Sequence, residues 1–199
     1  MVEFVLCIGV FWMPLFLGTI IIGFNLIRAV QVTQVCRDAG HMYSYGKDFT
    51  QPTYQNLLVS LAKGLNMTTT SGNGVVILST VTYIDTTQCK AGGYSSTCPN
   101  YQKLVFTRRV VVGNSSLHLS TFGTPNAGFL DGSGNVRSGD NNGTQGYLND
   151  ASAIASGFSN VVALSAGQYS YVSEMFVQSP DYDWWSFLGS MGVSARSIF

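Results

Sequence analysis

Two cysteines have the spacing that most directly indicates covalent chemistry in this chain. Cys89 and Cys98 stand nine positions apart and enclose a segment rich in Gly, Ser and Thr. Thiols at the two ends of such a loop are well placed to form a disulfide in an oxidising compartment. Unpaired thiols are the alternative, and zinc is less favoured because His41 and His118 are both distant in sequence. We therefore predict a Cys89–Cys98 disulfide.

Catalytic constellations are scarce. Glu3 and Glu174 are the only glutamates, so a paired-carboxylate site would have to rely on aspartates, such as those at positions 181 and 183. The segment 132–134 reads Gly-Ser-Gly but lacks the third glycine of a dinucleotide-binding loop, and the chain has no Walker loop and no Gly-x-Ser-x-Gly elbow. A Ser/His/Asp site assembled from distant segments is the remaining alternative. We expect no enzymatic activity and no cofactor.

One loop has oxygen-bearing side chains at alternate positions, as a calcium loop does. Asp131, Ser133 and Asn135 supply them. However, Val136 stands where a calcium loop needs its sixth-position glycine, and Asn142 stands where it needs its twelfth-position glutamate. We therefore expect no metal, and we interpret the segment as two Gly/Asn turns flanking a short hairpin.

Three Asn-x-Ser/Thr sequons are candidate glycosylation sites, at Asn66, Asn114 and Asn142. Sequons also arise by chance in a chain so rich in Ser and Thr, so their occupancy stays open. O-linked sugar on an outer face is a further candidate modification.

The overall charge excludes some classes of partner. Ten Lys and Arg balance ten Asp and Glu, and charged residues make up only 10% of the chain, where a soluble domain has about 25%. A net charge of zero gives no long-range attraction to nucleic acid or to an anionic membrane surface. The surface must be covered by uncharged polar residues, which is typical of extracellular proteins.

An apolar N-terminal segment predicts a membrane-spanning helix. Residues 4–27 contain no ionisable side chain except Cys7. A helix of about 24 residues is roughly 36 Å long, enough to cross a hydrocarbon core of about 30 Å. A buried core helix and a cleaved signal peptide are the alternatives, but a signal peptide should open with basic residues and this chain opens with Met1, Val2 and Glu3.

The charges that flank this helix and the predicted disulfide indicate opposite sides of the membrane for the rest of the chain. Arg28 and Arg37 follow the helix, whereas Glu3 is the only charge before it, so the positive-inside rule would leave the rest of the chain in the cytoplasm. The two observations agree if a basic leader set the orientation and was then removed. We therefore expect the sequence to be a mature form.

The helix contains residues that affect bending and close packing. Pro14 lacks an amide hydrogen and predicts a bend or an unwound stretch over residues 10–14. Gly9, Gly18 and Gly23 permit close helix approach, although the spacing of the last two is five and not four.

Beyond Arg28 the helix becomes amphipathic and should continue to about Asp38, stopping near Gly40. We expect its lower half to pack on its own globular domain. Cys7 and Cys36 should act as small apolar residues. Its apolar face carries Ala29, Val32, Val35 and Cys36.

The remaining chain predicts an α+β domain with an antiparallel sheet. A short helix is expected over 54–65, with Leu57, Leu58, Leu61 and Leu65 at helical spacing. Residues 86–102 and 123–150 are expected to be long surface connections. The aromatic segment 180–188 is either a cap over the core or a contact with another chain, and a sugar-binding patch there lacks support. Strands are expected at 74–84, 103–112, 118–122, 160–164, 168–177 and 192–199.

Both ends of the chain resemble a known family. The resemblance is strong over residues 1–41 and moderate over 160–199, and the middle of the chain departs from it. These segments are similar to TadE-like pilins of Tad, or type IVc, pili. They read Met1-Val-Glu-Phe-Val-Leu, Met13-Pro-Leu-Phe-Leu-Gly18, Gly23-Phe-Asn-Leu-Ile-Arg-Ala29, Cys36-Arg-Asp-Ala-Gly-His41, Gln168-Tyr-Ser-Tyr-Val-Ser-Glu-Met-Phe-Val177 and Val193-Ser-Ala-Arg-Ser-Ile-Phe199.

The resemblance implies an assembly role for Glu3. In that family a prepilin peptidase removes a short basic leader and leaves a glutamate at about the fifth mature position, which Glu3 matches if two small residues are missing from the start of this chain. The implied partner is the free α-amine of a neighbouring subunit, because a buried carboxylate needs a counter-charge. A glutamate that stabilises its own helix N-terminus at the membrane interface is the alternative.

The resemblance also implies the architecture and the function. Residues 1–40 would form a transmembrane and filament-core helix, and residues 41–199 a small α+β pilin head. The expected function is a structural subunit that moves from the inner membrane into an extracellular pilus, with itself, the prepilin peptidase and a Tad-type inner-membrane machine as partners. A low-copy minor pilin and a membrane-tethered periplasmic adhesion or binding module are the alternatives.

Overall fold

A long N-terminal helix dominates the molecule. The computed structural model describes residues 8–178 and 192–199. A π-helical turn, Ile8–Trp12, leads into helix α1, Met13–Ser44, which has 32 residues. The π-turn lies just before Pro14, where the sequence predicts a departure from regular α-helix.

The predicted stop near Gly40 is wrong, because α1 continues to Ser44. Gly40 is buried, and a Cβ added there would overlap the ring of Phe199. This glycine therefore serves close packing and not helix termination. The helix ends at Tyr45 and Gly46, where Gly46 has a φ of +78° and its amide donates to the Tyr43 carbonyl.

A four-stranded antiparallel sheet forms the head, in the order β2-β1-β3-β4. Four of the predicted strands are confirmed, and the fold is α+β. Their bounds are Gly74–Tyr83 (β1), Leu104–Gly113 (β2), Tyr169–Gln178 (β3) and Gly192–Ile198 (β4).

The lower half of α1 packs across one face of the sheet, mainly on β3 and β4. The predicted amphipathic face is confirmed here, with Cys36 fully buried and Gln31, Gln34 and Arg37 exposed. The helix contributes Val32, Val35, Cys36, Ala39 and Tyr43 to this core, and the sheet contributes Val76, Leu78, Val110, Val112, Met175 and Val177.

Helix α2, Pro52–Leu61, closes one end of this core but is shorter than predicted. Leu58 and Leu65 are buried, whereas Leu57 and Leu61 are 42% and 43% exposed. The predicted four-leucine stripe is therefore only half correct, because so short a helix contacts the core along one narrow line.

The opposite face of the sheet is covered by the chain between β2 and β3. This segment contributes a second core that includes Phe122 and Phe158. Along the outer edge of β2, the Val136 amide donates to the Thr107 carbonyl at 2.9 Å. Residues 123–150, expected as a surface connection, thus also build the interior of the head.

Two predicted strands are absent from the described structure. Residues 118–122 form turns and coil that present Ser120 and Thr121 to Glu174, and residues 158–160 form a 3₁₀ turn instead of starting a strand. The 86–102 connection, expected to be a long surface segment, contains helix α3, Thr86–Ala91, which starts with an Asp85–Gln88 capping box.

Candidate assembly surface

The upper half of α1 is an uncovered apolar rod. Phe11 and Phe16 are 73% and 65% exposed. Exposed apolar patches on soluble monomers rarely exceed a few hundred Å² unless they bind something. The exposed large apolar side chains of this half are Val10, Phe11, Trp12, Met13, Leu15, Phe16, Leu17, Ile20, Ile22, Phe24, Leu26, Ile27 and Val30.

Helix α1 is thus divided into two halves with opposite surroundings. From Val32 onwards one face is buried against the sheet, whereas the window of highest hydropathy in Gly9–Ser44 has a mean hydropathy of 2.0 and no residue buried by the rest of the chain. This is the one helix in residues 8–178 and 192–199 that is long and apolar enough to cross a membrane. The upper half therefore exposes an apolar surface that lipid or another protein could cover.

The predicted small residues of the rod lie in open space. Atoms added as Cβ at Gly9, Gly18 or Gly23 would meet nothing within 4 Å. Packing among the described residues therefore does not require glycine at these positions. Beside Gly9, the exposed side chains Trp12, Met13 and Phe16 line an apolar depression of about 310 Å³.

Some predicted residues cannot be located. Glu3 and Cys7 lie outside the described residues, and so does the aromatic segment 180–188.

The predicted disulfide is present. Cys89 of α3 and Cys98 are bonded, with their Cα atoms 5.3 Å apart. Both residues are buried in a small apolar cluster with Ile84, Val105 and Leu148. The bond therefore closes a loop within the β1–β2 connection, and apolar packing on Val105 holds this loop against β2.

A buried carboxylate that sequence reasoning did not assign to a site lies on the far face of the sheet. Glu174 of β3 is 4% exposed and accepts hydrogen bonds from Ser120, Thr121 and Arg196. The Arg196–Glu174 ion pair measures 3.2 Å and joins β4 to β3. The one available signal was that glutamate is so rare in this chain.

Arg109 of β2 is buried near this carboxylate. Its Nε donates to Ser79 Oγ at 3.2 Å, its Nη1 donates to the Gly123 carbonyl at 2.8 Å, and its guanidinium lies 4.5 Å from the centre of the Phe106 ring. Burial lowers the pKa of Arg109 to about 10, and the charge of Glu174 opposes that shift. These polar contacts join the far face of the sheet to residues 120–123.

A second ion pair connects the end of α1 to the sheet. Asp48 lies 2.6 Å from Arg108 of β2, and the Arg108 guanidinium lies 5.7 Å from the ring centre of Tyr43. Burial alone would raise the pKa of Asp48, but hydrogen bonds from Thr50 and the charge of Arg108 lower it. The lower half of α1 is therefore fixed by polar contacts as well as by apolar packing.

In the candidate calcium loop, hydrogen bonds from within the loop occupy the carboxylate of Asp131. Asp131 Oδ1 accepts from the amides of Ser133 and Asn135, each at 2.8 Å, and Oδ2 accepts from Asn135 Nδ2 at 3.0 Å. A bridge between Leu130 and Val136 closes the short hairpin. Across the described ranges, no group of three or more His, Cys, Asp or Glu is placed to hold a metal ion.

The three sequons differ in accessibility. Asn66 is exposed and has a φ of 50°. Asn142 is also exposed, at the tip of a turn. Asn114 is half-buried and engages both ends of its amide, donating to the Gly72 carbonyl and accepting from Ser116.

Comparison of the chain with protein-family models, with curated proteins and with solved structures finds no match.

Proposed function

We propose that the protein is a structural pilin subunit, of the TadE-like kind, whose N-terminal helix forms the core of an extracellular filament. The division of α1 supports this most directly. Its lower half, from Val32 to Tyr43, is fixed on the sheet, whereas its upper half is apolar and uncovered. Such a half can lie in a bilayer before assembly and among identical helices afterwards.

The head has two properties that are typical of extracellular proteins. It contains the Cys89–Cys98 disulfide, which persists in oxidising compartments, and the chain has only 10% charged residues. Backbone hydrogen bonds attach the long β2–β3 connection to the outer edge of β2, and this connection covers one face of the sheet. The head would coat the filament while the helices bury one another.

Assembly requires an energy source in this proposal. Moving the helix from lipid to an equally apolar bundle gains little hydrophobic free energy, since both surroundings are apolar. An inner-membrane machine driven by an ATPase, together with a prepilin peptidase, would supply the work and the processed N-terminus. Once outside, burial stabilises the bundle by about 25 cal/mol per Å² of apolar surface removed from water.

Shearing of the producing cells tests the proposal. Sheared surface material should contain helical polymers in which this chain dominates the mass. A minor pilin would be present in trace amounts, and a tethered module would remain in the membrane as a monomer. Recovery of the chain only as membrane-embedded monomers would contradict the proposal.

Replacement of one acid separates the alternatives further. Glu3→Ala should abolish or strongly reduce filaments, because the implied pairing with a neighbour's α-amine is lost. Asp38→Ala is a matched control, since Asp38 is an exposed acid of α1. Filament yields that are equal for the two variants would remove the role proposed for Glu3.

A further inference from the structure

Two Asn-Gly pairs occur in the chain, and the structure places them in opposite environments. One is Asn73–Gly74, at the start of β1, and the other is Asn142–Gly143, in the turn between Asp140 and Thr144. An asparagine followed by glycine is the sequence in which a backbone nitrogen most readily attacks the preceding side chain, because glycine has no Cβ to obstruct the approach. Local structure then decides whether the attack geometry can be reached.

The Asn142–Gly143 pair lies at the exposed tip of a turn that is closed by hydrogen bonds of Asp140. The Asp140 amide donates to the Thr144 carbonyl at 2.9 Å, and Asp140 Oδ1 accepts from the Asn142 amide at 2.9 Å. Among the described residues, no hydrogen bond engages the Asn142 side chain or the Gly143 amide. A Cβ added at Gly143 would meet nothing within 4 Å, so the turn has open space around it.

The Asn73–Gly74 pair is fixed by the sheet. The Asn73 amide donates to the Asn66 carbonyl, and the Asn73 carbonyl accepts from Gln178, both at 2.8 Å. Gly74 is buried, and its carbonyl accepts from the Asn114 amide at 3.0 Å. Reaching an attack geometry here requires opening the end of β1, which costs local unfolding free energy.

We propose that Asn142 is a site of spontaneous deamidation, with water as the only co-reactant. The Gly143 nitrogen attacks Cγ of Asn142, a new N–C bond forms, and the bond from Cγ to Nδ2 breaks. Ammonia leaves with the proton from the Gly143 nitrogen, and a succinimide ring remains. Water then opens the ring at either carbonyl, giving aspartate or isoaspartate at position 142.

This reaction changes two properties of the head. It removes the amide that the sequon Asn142-Gly-Thr144 would need to accept a glycan, so deamidation and N-glycosylation exclude each other at this position. It also adds one negative charge per copy, beside Asp140, to a chain whose net charge is zero. The surface of the head therefore becomes more acidic with age.

Incubation of the full-length protein in detergent at mildly alkaline pH, followed by peptide mapping with mass spectrometry, tests the proposal. Conversion at Asn142 should be at least roughly tenfold faster than at Asn73, because only Asn73 requires local opening. Isoaspartate should appear together with aspartate at position 142. Isoelectric focusing should show a more acidic band growing at the same rate.

Two variants provide the controls. In Asn142→Gln the attack would have to form a larger ring, so the acidic band should not grow. In Gly143→Ala the added methyl group hinders the approach, so conversion should slow. The proposal is overturned if Asn142 stays intact in the folded protein while a synthetic peptide of residues 138–147 converts, or if Asn73 converts as fast.

Discussion

Single residues on the far face of the sheet tie separate parts of the head together. Glu174 of β3 accepts from Ser120 and Thr121 and pairs with Arg196 of β4. Its charge also acts on Arg109, which is buried on β2. One carboxylate therefore compensates two cations, and Glu174 is the one carboxylate among the described residues whose charge acts on Arg109.

Glu174→Gln should lower the free energy of unfolding by about 1–3 kcal/mol, because the carboxylate is buried and its charge-assisted hydrogen bonds are lost, whereas Arg196 is 34% exposed and can be solvated. The matched control is Asp48→Asn, which breaks a more exposed pair with Arg108 and should cost about 1 kcal/mol or less. Denaturant unfolding of the full-length protein in detergent, followed by near-ultraviolet circular dichroism, measures both. Equal losses would show that burial of Glu174 does not matter.

The turn acids predict how stability depends on pH. Hydrogen bonds from Asn135 lower the pKa of Asp131, and the Thr144 amide is the main group that lowers the pKa of Asp140. A lowered folded pKa means that the unfolded chain binds protons first as the pH falls. The stabilisation that these two acids contribute is therefore fully present above the ordinary aspartate pKa and is lost as the pH falls below about 4.

Asp131→Asn should accordingly reduce the acid sensitivity of the head. Asparagine keeps one acceptor for the amides of Ser133 and Asn135 but does not titrate. Thermal midpoints at neutral and acidic pH should differ less in the variant than in the unmodified chain. An unchanged pH difference would mean that Asp131 titrates identically in the folded and unfolded states.

At the scale of elements, the two halves of α1 differ in how tightly their residues are packed. Glycines in its lower half are constrained by packing, since a Cβ at Gly40 would overlap the ring of Phe199. Glycines in its upper half, such as Gly18, face open space within the subunit. The same substitution should therefore have opposite effects in the two halves.

Gly40→Ala should lower the free energy of unfolding by about 1–2 kcal/mol, because overpacking outweighs a helix-propensity gain of about 1 kcal/mol. Gly18→Ala should leave the stability of the monomer in detergent unchanged or slightly higher, since only the propensity gain applies. Thermal unfolding of both variants in the same detergent checks this contrast. Stabilisation by Gly40→Ala would contradict the packing of Phe199 on α1.

The elements show why part of the fold could be predicted and part could not. Strands β1 and β2 are rich in Val, Ile and Thr, and local composition was enough to locate them. Residues 118–122 were also expected to form a strand but contact Glu174, which is more than fifty positions away, and no local pattern reports such a contact. The end of α1 was misplaced for the same reason, because Gly40 packs on the distant Phe199.

The candidate site could also be predicted only in part. Local sequence was enough to predict the apolar rod, the glycines of its upper half and the disulfide. The burial of Arg109 and Glu174 depends on how residues 114–168 fold back over the sheet, so their importance became visible only in three dimensions.

At the scale of the whole molecule, the proposed function rests on a helix whose apolar upper half is exposed in the single chain. The head is covered on both faces of its sheet, whereas the described part of the chain buries no residue of the rod from Val10 to Val30. We expect the rods of neighbouring copies to pack together and the heads to face outwards.

A helical reconstruction of filaments sheared from producing cells tests this most directly. The account predicts that residues 8–30 of every copy lie in a central bundle, in contact with other copies, with the disulfide-bonded heads on the outside and Glu3 beside a neighbour's α-amine. Filaments whose rods project into solvent, or whose subunits join only through their heads, would contradict it.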